Sequence, residues 1–182
     1  MWPTSNDPAV QFLLDRAAIS ELMTRYCRSI DRCDRPLLES TYWPDAWDDH
    51  NIFRGTALEY FDFIIPWREG HEQTQHMLGN MSIRLDGIDA DVETYFICYH
   101  RHREPGGAVD MFVGGRYIDR MRKRDGEWRI ADRKGVVDWW RHAGKAEDYS
   151  GGYSGMVPRM GGMAPNDAVY DLFGPKGRTD FK

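Results

Sequence analysis

The chain has 182 residues, 41% hydrophobic and 13% aromatic, with a formal net charge of −5, enough for one domain with a real core. Its basic residues are scattered among acids, which argues against a nucleic-acid groove. Its richest apolar run, "YFDFIIPW", is too short to span a bilayer.

Asp7-Pro8 has the form of an N-cap followed by a first-turn proline. After it Leu14, Ala18, Ile19, Leu22, Met23, Tyr26 and Ile30 recur at helical spacing, predicting one long helix from about Pro8 to Arg32. Asp34 and Pro36 open a short helix running to about Tyr42, broken by Pro44. Residues 46–54 are expected as a strand, and Thr56 as the cap of a third helix reaching about Trp67.

From Gln75 the period changes to two. "HMLGNMSIRL", "DVETYFICYHRH", "VDMFVGGRYIDRMRKR" and "EWRIADRKGVVDWW" are four strand candidates, the last two joined by Asp125-Gly126 in a tight hairpin. Helices followed by a long meander give an α+β domain over residues 1–141. Residues 142–182 are rich in Gly, Met and Pro. Their ordinary reading is a loose tail, but Tyr149, Tyr153, Met156, Met160 and Met163 favour an arm packed on the domain or on a neighbouring subunit.

Three cysteines, Cys27, Cys33 and Cys98, lack metal-type spacing, and the N-terminus has no charged leader before an apolar run. The expectation is a cytoplasmic protein with reduced thiols.

Strand alternation indicates which polar side chains share a face. His76, Leu78, Asn80 and Ser82 fall together, opposite Met77, Met81 and Ile83. Phe96, Cys98, His100 and His102 form a second set. In the last strand Ala131, Arg133, Gly135 and Val137 lie opposite Trp128 and Ile130. A curved sheet would aim His76, His100 and Arg133 into one cavity, although each also has a structural or solvated reading. Asp31 is the odd residue of the first helix, a carboxylate beside an apolar face and at the end where the helix dipole opposes it.

The segments "RAAISELMTRYCRSIDRCD", "STYWPDA", "EQTQHMLGN" and "GGRYIDRMRKRDGEWRIADRKGVVDWW" resemble the SnoaL-like family of the nuclear transport factor 2-like superfamily, over roughly residues 10–141. The resemblance implies a cone-shaped α+β barrel, a sheet wrapped around N-terminal helices. Members include hexachlorocyclohexane dehydrochlorinase, scytalone dehydratase and bile-acid dehydratase, all cofactor-free lyases, beside polyketide cyclases and binders without chemistry. Carried over residue by residue, it implies Asp31 paired with His76, Tyr26 as acid or hydrogen-bond donor, Arg133 lining the pocket, and His100 at a further polar position. The long C-terminus departs from the pattern. A homo-oligomer, most simply a trimer, is also implied.

An imidazole can take a proton near neutrality, and a carboxylate on its other nitrogen fixes the tautomer. The expectation is an acid/base elimination without a cofactor: loss of water, or carbon–carbon cleavage such as formaldehyde release from lignin-derived diaryl compounds. Trp43, Trp67 and Tyr99 are candidate walls for a hydrophobic, ring-containing substrate. One rival is a metal enzyme using His71, His76, His100 and His102; another is a non-catalytic binding protein.

Overall fold

The computed structural model of the protein describes residues 2–146, 162–168 and 170. Tyr149, Tyr153, Met156 and Met160 of the expected arm lie outside the described residues. The elements in order are α1 (Pro8–Asp31), α2 (Arg35–Glu39), β1 (Tyr42–Asp49), β2 (Arg54–Thr56), α3 (Ala57–Glu69), β3 (His71–Asp86), β4 (Asp89–Glu104), β5 (Gly107–Arg124) and β6 (Glu127–Lys145).

Local chemistry accounts for most of these boundaries. The Asp7 carboxylate accepts from the Ala9 and Val10 amides and starts α1. Thr56 and Glu59 form a reciprocal capping box at α3. Asp125 and Gly126 both take positive φ, 51° and 80°, and fold β5 back onto β6. Two boundaries differ from expectation. The second helix stops at Glu39, because the Ile130 amide binds the Thr41 carbonyl and Tyr42 joins the sheet beside Ile130. The strand placed at residues 46–54 instead divides into β1 and β2, separated by a turn with Asn51 at φ 64°.

The sheet runs β2-β1-β6-β5-β4-β3 and is antiparallel except between β1 and β6. It is an open, mixed α+β sheet with β2 and β3 as edges, so the barrel does not close. α1 packs on both β3 and β6, which lie three places apart, so the sheet curls around the helix. The buried stripe Ile19, Leu22, Met23, Tyr26 and Ile30 of α1 forms the core with Tyr42, Phe61, Met121 and Trp128.

Bulges overturn two of the expected face assignments. The β3–β4 register shifts between Leu78 and Met81, so Met77 points out while Met81 and Ile83 pack inward with Leu78. The β5–β6 register skips Ala131, which puts Trp128, Ile130 and Arg133 all on the buried side. A single inserted residue reverses the alternation beyond it. β6 also runs four residues past the expected domain boundary. Of the C-terminal segment, the Ala164 amide binds the Arg32 carbonyl, Asp167 pairs with Arg32, and the Tyr170 hydroxyl donates to Asp34.

Candidate functional site

α1, α3 and strands β3 to β6 enclose a cavity of about 660 Å³. Its walls are mostly apolar and aromatic, among them Trp67, Phe96, Tyr117 and Trp140. His76 stands at one end. The last turn of α1 brings Asp31 behind it, and the carboxylate holds it at two points. One oxygen is 2.7 Å from His76 Nδ1, and the other accepts from the His76 backbone amide at 2.8 Å. Thr74 donates to the first oxygen. The ring is thereby fixed with Nε2 towards the cavity.

Burial works against the charge on His76, but the Cys98 sulfur and the Asp31 carboxylate outweigh it and push its pKa up to about 9. Burial likewise opposes the Asp31 charge, yet His76 and Arg68 hold that carboxyl below its usual range. Cys98 is also lowered against its burial, by His76 and Arg68. His100 goes the other way. Desolvation, then the Arg68 charge, keep it far below an ordinary imidazole and therefore neutral.

Arg68, from the last turn of α3, joins these groups. Its guanidinium donates to Thr74 Oγ1 at 2.8 Å, contacts His100 Nδ1, and lies 3.4 Å from His76 Nε2. The buried stripe of α3, Ala57, Tyr60, Phe61, Ile64 and Ile65, ends on this arginine. That helical spacing was visible in the sequence, and Arg68 was missed.

A second histidine–carboxylate pair borders the cavity away from His76. His50 Nδ1 is hydrogen-bonded to Asp48, whose other oxygen accepts from the Tyr42 hydroxyl at 2.7 Å. His50 Nε2 lies 3.4 Å from Tyr26 Oη and 3.5 Å from Tyr60 Oη, and the two phenols are 3.3 Å apart. Burial pushes the Tyr26 hydroxyl up to about 12, so it stays protonated as a donor. The alternation Ala46, Asp48, His50, along β1 and one residue past its end, was the available signal for this pair.

The expected site residues thus divide. Asp31 and His76 come together, and Tyr26, His100 and Trp67 line the cavity that His76 borders. Arg133 does not. Fully buried, it makes a bidentate pair with Asp119 at 2.6 Å and sits 4.0 Å and 4.3 Å from the Tyr26 and Tyr117 ring centres, behind the cavity wall. Its register partner across the sheet is Asp119 itself, which captures the guanidinium. Trp43 is turned away too, donating to the Arg122 carbonyl and stacked against Arg124 and Arg129. Tyr99 alternates to the opposite face of β4 from Cys98 and His100 and donates to Asp110. His71, His76, His100 and His102 form a chain of ring contacts, but no three metal-ligating side chains converge among the described residues.

Comparison with known proteins fits this geometry. A family model described as a SnoaL-like domain matches residues 11–134. An uncharacterised protein of Mycobacterium tuberculosis is 30% identical over 131 residues, 69% of this chain and 86% of that one. A hexachlorocyclohexane dehydrochlorinase superposes with a TM-score of 0.66 at 20% identity, covering 75% of this chain and 93% of the other. A scytalone dehydratase-like protein of Novosphingobium aromaticivorans gives 0.62 at 21% identity, covering 75% and 95%. At such identities the two structures establish the fold. With more than half its length matched by the family model, the chain belongs to the SnoaL-like family.

Proposed function

We propose that the protein is a cofactor-independent lyase acting on a hydrophobic, ring-containing small molecule. One observation carries this reading: His76, held by Asp31, presents Nε2 to an aromatic-walled cavity. In its neutral form His76 removes a proton from carbon or from a hydroxyl, and Asp31 stabilises the imidazolium that results. Arg68 stands beside Nε2 and stabilises negative charge as it develops, the role first expected of Arg133. Tyr26 and Tyr60, backed by His50 and Asp48, supply donors for a leaving oxygen. Water loss and release of a small aldehyde both use these groups without further parts. The same parts also suit a cyclase or isomerase, since the tyrosine pair offers a second point for returning a proton. A homo-oligomer, with three copies joined through the outer sheet face, completes the proposal.

The test is a panel of 1,2-diarylpropane-1,3-diols, followed for formaldehyde and stilbene absorbance, beside β-hydroxy ketones followed for water loss. On any substrate turned over, His76→Ala is expected to lower kcat about 10²–10⁴-fold, the range of a positioned acid–base group. Asp31→Asn is expected to fall severely too. Near-normal turnover in a folded His76→Ala protein makes this histidine structural and removes the base.

A further inference from the structure

The charge lining the cavity is one-sided. Arg68 and Lys134 border it, and none of the described residues bordering it is Asp or Glu. This is unexpected in a chain of formal net charge −5. Lys134 is exposed at the mouth, but Arg68 is only 5% exposed. Its guanidinium donates to the Thr74 hydroxyl, contacts the His100 ring and lies 3.4 Å from His76 Nε2, which cannot accept while that ring is charged, and its Nε has no hydrogen-bond partner among the described residues. The carboxylate of Asp31 is reached only through Thr74 and is already engaged twice by His76.

A buried guanidinium that must share its nearest carboxylate, Asp31, with His76 is costly, and such groups are found paired or bound to an anion. Arg68 borders the apolar cavity while its terminal nitrogens touch only neutral or shared groups. A planar carboxylate matches the guanidinium fork with two hydrogen bonds, and its aromatic body, like that of a phenolate, suits the apolar walls.

We propose that the cavity selects an aromatic anion. Its carboxylate or phenolate sits on Arg68 at the His76–His100 end, and its rings lie along Trp67, Phe96 and Tyr117. Lys134 at the mouth draws the anion in. This names the substrate class of the proposed lyase and rests on reading the cavity as its substrate site.

The probes are 2-naphthoate and its neutral isostere 2-naphthamide. Titrations at pH 7.5 are followed by tryptophan fluorescence, since Trp67 and Trp140 line the cavity, and by calorimetry. The expected result is naphthoate binding about tenfold or more tighter than naphthamide, as for a charge-assisted pair in a water-poor site. In Arg68→Met the naphthoate preference should shrink about fivefold or more, the charges of His76 and Lys134 supplying what is left, with part of it restored in Arg68→Lys. Equal affinities in the wild-type protein, no binding of either probe at millimolar concentration, or a naphthoate preference undiminished in Arg68→Met overturns the proposal. Should Arg68→Met fail to fold, the wild-type ratio decides by itself. Turnover of His76 variants tests the base separately, so loss of the anion preference leaves a lyase for neutral substrates, and an active His76→Ala protein leaves the anion site.

Discussion

Two side chains, His76 and Arg133, carry opposite lessons about buried charge. With its pKa pushed up to about 9, His76 is mostly imidazolium at neutral pH, only about one molecule in a hundred carrying the free base. A base in that state gains competence as protons leave, so kcat/KM should rise with pH through a midpoint near 9 and level off only above it. Cys98 contributes to the upward shift, so Cys98→Ala should move the rising limb towards neutral pH, measured as a pH–rate profile. A limb that stays in place separates the sulfur from the base. Arg133 is fully buried with Asp119 and does not line the His76 cavity. Arg133→Met should therefore lower stability by about 3–5 kcal/mol in urea unfolding, because Asp119 is left buried and unpaired. The double variant Arg133→Met/Asp119→Leu should recover much of that loss. If Arg133→Met instead unfolds like the wild type, the pair is not what holds this part of the core.

The pairing of β5 with β6 depends on two adjacent glycines with different tolerances. A Cβ at Gly115 would lie 2.1 Å from the Val136 carbonyl oxygen and 2.9 Å from the Phe96 ring. Relief there requires the two backbones to part. At Gly114 the obstacle is the Trp139 ring, a half-exposed side chain on the outer face that can swing aside. Gly115→Ala should thus cost about 2 kcal/mol or more, and Gly114→Ala clearly less, when compared by thermal unfolding. An equal cost for both would show that Trp139 is as fixed as backbone. The helices α1 and α3 matter for a related reason. Asp31 comes from the end of one and Arg68 from the end of the other, so both charged groups around His76 hang on helix termini pressed against the sheet.

Across the whole molecule, the outer face of the sheet carries a row of register partners from β3 to β6: Met77, Ile97, Gly114 and Trp139. Met77, Ile97 and Trp139 are all exposed, with Tyr95 and Phe112 nearby. A flat apolar strip of this kind is a poor surface for a lone protomer in water. Light scattering should give three times the 21.2 kDa chain mass, and Ile97→Lys with Met77→Lys should reduce it towards one. A monomer mass for the unmodified protein at micromolar concentration ends the trimer proposal. No helix among the described residues is long and apolar enough to cross a membrane.

Periodicity and caps were enough to place three helices, four long strands and the Asp125-Gly126 hairpin, because those signals act within a few residues of chain. The likeness to the SnoaL-like family singled out Asp31 and His76, 45 positions apart in sequence and hydrogen-bonded in the fold. Other features required the folded molecule. An inserted residue at Ala131 sent Arg133 to the buried side, where Asp119 holds it behind the tyrosines, and alternation alone carries no mark of such a slip. Arg68 and the His50–Asp48 pair lay in plain periodic positions, yet helical spacing says only that a side chain faces inward. Whether that inward space is packed core or open cavity depends on how far the sheet curls and which side chains fill it. Those are sums over contacts distant in sequence, so only the tertiary structure decides them.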